Sequence, residues 1–320
     1  MAAIFFIFGK VKLKMYDIIG DVHGYASLLK KLFLQLGYQK TENGYWHPNR
    51  KAIFVGDFVN RGPEIRKTIR IIRKMVENGN AYAILGNHEI YAITYYLKEK
   101  DGSLVVKTKN KNFLSLYKTI TEFTGFADEW KDHLNWMLNL PLYLDFGKIR
   151  IVHACWSEEA IDWLSNTEKS GKSKKDIFKK VYKKPKSKTS RNILLLTKGV
   201  DFKMPGNLKI ISNKGISPRS FRLRWWENPE DKTFEEMSFE SKFSLPEYEI
   251  PRHLAPVLTP YSESLPPLFF GHYCRHNGPH IIKPNICCVD SCVAGSKILT
   301  AYCWNGENVL NPENLIQIRK

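Results

Sequence analysis

Asp21, His23, Asp57, Asn87, His88, His153 and His272 are the side chains whose types and spacing could do chemistry. Asp21 and His23, one residue apart, offer a carboxylate and an imidazole from one short loop. Asp57 follows Gly56, and a glycine lets backbone approach closely. Asn87 adds a neutral amide oxygen, and His153 and His272 each close an apolar run. Carboxylate, imidazole and amide oxygen together suit Mn²⁺, Fe or Zn²⁺ better than a soft thiolate site does.

The elements that must position these residues repeat one pattern. Three times between residues 15 and 96, an apolar run ends in a glycine followed by Asp or Asn, and a helical pattern begins. MYDII leads to GDVHG, then to Leu28, Leu29, Leu32, Phe33 and Leu36 on one helix face. AIFV leads to GDFVNRGP, then to Ile65, Ile69, Ile72 and Val76 at helical spacing. Pro63 suits that helix's first turn and Asn78-Gly79 its end. AYAIL leads to GNHE and a helix from about Glu89 to Leu97. Such units feed a mostly parallel sheet, and open sheets build sites beyond the carboxyl ends of their strands.

Further along, residues 112–139 read as helical, LYLDF and IRIVHAC as strands, and residues 157–215 as short helices and loops. Residues 216–265 give no order. PLFFGHY, NICCVDSC and KILTAYCW read as closing strands, with Asn305-Gly306 as a turn. Taken singly, each motif has a plainer reading, such as a core histidine or, for Asn87, a helix cap. But GDVHG, GDFVNRGP, GNHE, VHAC and GHY occur once each, in that order, each after an apolar strand.

This ordered set resembles the calcineurin-like metallophosphoesterases, and more narrowly the branch of phosphoprotein phosphatases and symmetrical diadenosine tetraphosphatases. The resemblance covers roughly Met15–Ala160 and Pro267–Trp304. Between them only Trp226-Glu227-Asn228-Pro229 is similar to a stretch of the phosphoprotein phosphatase branch. The resemblance implies a mixed α/β fold: a four-layer αββα sandwich of two mixed sheets, with a metal site at strand carboxyl ends. It implies hydrolysis of phosphate esters by water activated between two divalent ions, Mn²⁺ first and Fe or Zn²⁺ otherwise. Asp21, His23 and Asp57 would hold one ion. Asp57 would bridge to the second, completed by Asn87, His153 and His272. His88 would be the general acid, with Asn60 beside it. Arg61 would take phosphoryl oxygens in its planar fork, with Asn87 and His88 also facing the phosphate.

The expected substrate is a phosphoserine- or phosphothreonine-type phosphomonoester. A dinucleotide polyphosphate or an RNA end is the alternative. Asn60 stands where many relatives have an Asp that charges and orients the catalytic histidine, and symmetrical tetraphosphatases also often lack it. Trp156 follows the His153 loop and could narrow the pocket. Asp290, in VDSCVAG, is a candidate to support the ligands.

Composition sets the bounds. At 320 residues, 43% hydrophobic and 25% charged, the chain can bury a sizeable core and is not disordered wholesale. Residues 1–14 place apolar Ala2–Gly9 ahead of Lys10, Lys12 and Lys14, the reverse of a secretory signal. They are expected to be an extension outside a single domain spanning 15–320. That domain carries a lysine-rich insertion at about 157–215. The six cysteines lack CxxC spacing and read as free, mostly buried thiols of a reducing cytoplasm. No apolar run is long enough to cross a bilayer. Net charge is +17, and residues 169–191 hold 11 Lys or Arg against one Asp. That run reads as a solvated insertion; a nucleic-acid partner, detectable by salt-sensitive binding, is possible but not favoured. A non-catalytic binding protein is a third reading, at odds with an intact ligand set.

Overall fold

The computed structural model describes residues 15–99, 101–105, 111–204, 211–212, 220–239, 243–245, 249–251, 253, 258–275 and 280–320. The expected extension at 1–14 lies outside the described residues, as do 205–210 and 213–215 of the lysine-rich region.

Ten strands build two sheets: β1 (Met15–Ile19), β2 (Arg50–Phe54), β3 (Ala81–Ala83), β4 (Tyr143–Asp145), β5 (Arg150–Val152), β6 (Leu268–Phe270), β7 (Ile281–Lys283), β8 (Ile286–Cys288), β9 (Ile298–Trp304) and β10 (Leu315–Arg319). The first sheet has the order β10-β9-β1-β2-β3 and the second β7-β8-β6-β5-β4. β1, β2 and β3 run parallel, and so do β5, β6 and β8; the remaining pairings are antiparallel. Each sheet thus presents three parallel strands whose carboxyl ends open on one edge.

Strand periodicity explains the core. Successive side chains alternate faces. Tyr16 and Ile18 of β1 join Ile53, Ile151, Phe269, Cys287 and Trp304 in a cluster drawn from both sheets. Ile19, Phe54, Phe270 and Cys288 face the opposite way, into a cluster shared with the helices. Asp17 is buried and receives Arg50 Nε at 2.7 Å and Tyr38 Oη at 2.8 Å, so its charge is paired.

The eight helices used below are α1 (Ala26–Gln35), α2 (Ile65–Glu77), α3 (Asn87–Tyr96), α4 (Tyr117–Glu122), α5 (Ala127–Leu138), α6 (Glu158–Lys169), α7 (Lys174–Lys183) and α8 (Lys188–Lys198). α1 buries Leu28, Leu29, Leu32 and Phe33, the stripe its sequence spaces. α2 buries Ile65, Ile69 and Ile72 and begins two residues after Pro63. The expected helix over 112–139 is split, because Gly125 takes φ 82° between α4 and α5. α7, in the heart of the lysine run, buries Ile177, Phe178 and Val181. It is an amphipathic helix docked on the body, which corrects the reading of a merely solvated segment.

The cysteine reading also needs correction. Cys274 and Cys292 form a disulfide with Cα atoms 4.9 Å apart. They sit in the loops after β6 and β8, which pair in parallel and so bring those loops side by side. Cys155, Cys287 and Cys288 are free and buried, as expected, and Cys303 is free and half-buried. No helix among the described residues is long and apolar enough to cross a membrane.

Candidate active site

The loops that leave the parallel strands carry the candidate residues. Asp21 and His23 follow β1, Asp57, Asn60 and Arg61 follow β2, and Asn87 and His88 open α3 after β3. His153 follows β5, His272 follows β6 and Asp290 follows β8. Asp21, His23, Asp57, Asn60, Asn87, His88, His153 and Asp290 are all buried. Eight non-glycine residues have positive φ among the described residues, and five are His23, Asp57, Asn60, Arg61 and His272. Left-handed backbone is rare for such residues and concentrates where function dictates geometry.

Asp57 is the hub. Its Oδ2 lies 3.4 Å from His153 Nε2, 3.7 Å from His23 Nε2 and 3.9 Å from His88 Nε2. Its Oδ1 accepts the His88 backbone N–H at 2.9 Å. Asn87 Oδ1 is 3.3 Å from His153 Nε2, and the His153 and His272 rings are 5.3 Å apart. The ligand-capable atoms of Asp57, His153 and His272 all lie within 4.8 Å of one another, and so do those of His23, Asp57 and His88. Asp21 stands at the margin, its Oδ2 4.0 Å from His23 Nε2 and 3.3 Å from the His272 backbone nitrogen. The compact group around His23 therefore contains His88, with Asp21 next to it.

Two histidines are aimed by carbonyls: His23 Nδ1 meets Val59 O at 3.0 Å and His153 Nδ1 meets Val55 O at 2.7 Å. Each leaves Nε2 facing the hub, the arrangement of ligating histidines. Gly86 is required at the α3 N-terminus because a Cβ there would collide with Asp57 Oδ1. Gly86 holds the cap position, so the Asn87 amide is free to face the site.

The electrostatics suit a cation. Burial alone would raise Asp57, but His153, His88 and His23 together hold it well below the usual carboxylate range. Burial raises Asp21 well above that range, helped by the charge of Asp290. Burial lowers His23 well below its ordinary value, and His88 adds to this. His272 Nε2 is buried without a hydrogen-bond partner. Leaving a buried polar atom unpaired costs roughly 1–3 kcal/mol. A divalent ion among His272, His153, Asn87 and Asp57 would satisfy it with oxygen and nitrogen donors that such ions accept. The residues fit the metals that the sequence implies.

His88 sits between two partners. Asn60 Nδ2 is 2.7 Å from His88 Nδ1, and Arg61 Nη2 is 3.1 Å from His88 Nε2. Thr119 Oγ1 is 2.5 Å from Asn60 Oδ1. Two N–H donors cannot both be met by an imidazole that carries a proton of its own. Half a turn of the Asn60 amide closes the network: Oδ1 accepts Nδ1–H, Nδ2 donates to Thr119, and Nε2 accepts from Arg61. Burial pushes His88 down to about 4, against the pull of Asp57 and with a further push from Arg61 and Lys198.

Glu89 escaped the sequence reading, although GNHE displays it. Its carboxylate accepts backbone N–H groups from Asp57, Phe58, Val59 and Gly86 at 2.7–3.1 Å, tying the hub loop to α3. Burial and the nearby Asp57 raise it to about 7. Arg222 Nη1 donates to His272 O at 3.1 Å. Neither Thr119 nor Arg222 carries a sequence signal, since each reaches the site only through the tertiary fold. Trp156 does not narrow the site: it packs on Tyr143 and Arg150 and lines a separate cleft with Tyr261.

Aspartate, histidine and asparagine meeting at the carboxyl ends of parallel strands from two sheets define a metallophosphoesterase. The chain belongs to the calcineurin-like phosphoesterase family, which it matches over residues 16–272. An asymmetrical bis(5'-nucleosyl)-tetraphosphatase PrpE from Oceanobacillus iheyensis is 47% identical over 144 residues, 43% of this chain and 54% of that protein. A symmetrical bis(5'-nucleosyl)-tetraphosphatase from Wigglesworthia glossinidia brevipalpis is 30% identical over 139 residues, 43% of each chain. The chain thus spans about half the length of the curated relatives it matches. Among solved structures, a mutant cold-active protein tyrosine phosphatase shares the fold at TM-score 0.52 and 12% identity, over 96% of this chain and 81% of that one.

Proposed function

We propose that the chain hydrolyses phosphoric ester or anhydride bonds with two divalent ions, and that a dinucleoside polyphosphate is its substrate class. The observation that carries the reaction is the convergence of His23, His88 and His153 on Asp57, with Arg61 against His88. Asp21, His23 and Asp57 would hold one ion; Asp57, Asn87, His153 and His272 would hold the other. Manganese suits these hard and borderline donors best. Bound ions supply Lewis-acid polarisation of the phosphoryl group and ionisation of water near neutral pH. The protein's residues do the rest. Arg61 turns its fork from His88 to two phosphoryl oxygens. Glu89 keeps the Asp57 loop rigid, and His88 Nε2 presents a proton to the leaving oxygen.

Asn60 favours the dinucleotide substrate. A leaving phosphate is a weak base and hardly needs a proton, whereas a serine alkoxide needs one badly. Asn60 orients His88 but gives it no negative charge. The relatives named as bis(5'-nucleosyl)-tetraphosphatases point the same way. Phosphomonoester hydrolysis is the second reading, favoured by the Trp226-Pro229 stretch, whose Trp226 packs on Phe270 and Tyr273 beside the His272 loop. We also read residues 15–320 as one domain and the cytoplasm as its compartment, testable by limited proteolysis and fractionation. The deciding experiment is Mn²⁺-loaded protein on diadenosine tetraphosphate, a phosphoserine peptide and an aryl phosphate. Turnover of the peptide but not of the dinucleotide would reverse the order of the two readings.

A further inference from the structure

A second cavity lies at the far end of α3 and shares no residue with the Asp57 cluster. α3 starts at Asn87 and first lines the cavity at Ile93, so about 9 Å of helix axis separates the two places. The cavity measures 810 Å³, within the roughly 300–1,000 Å³ of ligand pockets. Its walls include Ile93, Phe123, Trp130 and Leu134, all buried apolar side chains. The Phe123 and Trp130 rings lie 4.7 Å apart, and Tyr96 meets Trp130 edge-on at 5.9 Å. Its rim carries Lys98, Lys131, Lys175 and Lys179, and no carboxylate lines it among the described residues. Lys179 comes only within 4.0 Å of Glu99, and Lys98, Lys131 and Lys175 have no ion pair among the described residues.

An aromatic-walled cleft under four cations selects a flat apolar body bearing several negative charges. A fatty acid would fill the apolar part but brings one charge for four lysines. We propose that this cavity is a second, non-catalytic site for a nucleoside polyphosphate, its base against the exposed ring of Tyr96, above the buried Phe123 and Trp130, and its phosphates on the lysine rim. Base stacking on aromatic rings and phosphate pairing with lysine are both established sources of nucleotide affinity. Two of the four lysines, Lys175 and Lys179, come from α7, so the proposal gives the lysine-rich helix a function.

The site is tested without relying on hydrolysis. ATP is titrated calorimetrically into the full chain in excess chelator, beside tripolyphosphate, adenosine and laurate. The expected result is saturable ATP binding below about 1 mM, at least tenfold weaker for tripolyphosphate and for adenosine. Lys131→Glu with Lys175→Glu should weaken ATP binding at least tenfold, while Arg61→Ala should leave it unchanged. The double variant should keep its melting temperature and its Mn²⁺-dependent aryl phosphate turnover, which shows that the fold survives. Absent ATP binding, binding lost in Arg61→Ala but kept in the double lysine variant, equal affinity for tripolyphosphate, or laurate binding in place of ATP would each overturn the proposal.

Discussion

Replacing Asn60 by Asp tests the role of His88 most directly. Asn60 is fully buried, 2.7 Å from His88 Nδ1 and 2.5 Å from the Thr119 hydroxyl. A carboxylate there finds both its partners ready: Thr119 donates to one oxygen and His88 Nδ1–H to the other. An opposite charge at this distance raises an imidazole by about 1–3 pKa units. His88 starts at about 4. A rise of about two units, worth about 2.7 kcal/mol, increases its protonated fraction at neutral pH about a hundredfold. The acid is also weaker by those units, and with a Brønsted sensitivity of about one half this returns about tenfold. The net gain is about tenfold in kcat for phosphoserine, whose leaving group needs the proton. Aryl phosphate and dinucleotide turnover should barely change, because their leaving groups are weak bases. The alkaline limb of the kcat profile should move up by about two units. Bound cations act alike on both proteins and drop out of the ratio. An unchanged alkyl-to-aryl ratio with an unchanged pH profile would refute proton donation by His88 under the control of residue 60.

Three further outcomes are expected. Chelator should abolish aryl phosphate turnover and Mn²⁺ restore it. Asp57→Asn, which removes the charge three imidazoles face, should cost more than about a hundredfold in kcat; activity without bound metal would sink the mechanism. Phe178→Ala in α7 should destabilise the fold by about 3–5 kcal/mol in urea unfolding, and deletion of 169–191 should be worse, since Ile177 and Val181 go too; a soluble, equally stable deletion variant would show that α7 is an appendage. Glu129, hydrogen-bonded first by Arg70 and then by Arg66 and His133, is held down at about 2. Its folded pKa lies below the unfolded value of about 4.3, so its stabilisation is full above that pH and is lost as pH falls towards 2. Glu129→Gln should therefore lower stability at pH 7 and flatten the acid loss; an unaltered slope in urea titrations at pH 7, 4 and 3 would contradict the pairing.

The sequence exposes those parts of the site that local chemistry dictates. A parallel strand followed by a tight polar loop has few solutions, so GDVHG, GDFVNRGP and GNHE announce both an element and the residues at its end. Three of the six loops are legible for that reason, and VHAC and GHY follow once the first three are seen. What stays hidden is set by pairing across the fold. Glu89 is written in the third loop but acts on the second, through the backbone N–H groups of Asp57, Phe58 and Val59, which no spacing rule connects to it. Thr119 reaches Asn60 across 59 residues. Cys274 and Cys292 pair because β6 and β8 are neighbours in the sheet, and that order is invisible in the chain. β7 and β10 carry no fully buried residue, so neither shows a buried–exposed alternation that marks a strand in the sequence.

The same distinction explains why the reaction can be argued more firmly than the substrate. Reaction geometry sits in the loops at the carboxyl ends of parallel strands, where Asp57 Oδ2 stands 3.4 Å from His153 Nε2 and 3.7 Å from His23 Nε2. Substrate recognition falls to what surrounds that frame, and two features there differ in kind. Asn60 acts on the leaving group, so it discriminates by proton demand and favours anhydride over alkyl ester. The α3–α7 cavity begins about 9 Å along α3 from Asn87 and shares no lining residue with the Asp57 cluster, so it discriminates by occupancy. A change confined to kcat on poor leaving groups therefore belongs to Asn60. A change in nucleotide affinity that survives removal of the metal belongs to the lysine-rimmed cavity. Combining Asn60→Asp with Lys131→Glu and Lys175→Glu should give the separate effects added as free energies, since Asn60 and the two lysines share no side-chain partner among the described residues. A coupling above about 0.5 kcal/mol would mean that α3, or α4 through Thr119 and Phe123, transmits between them.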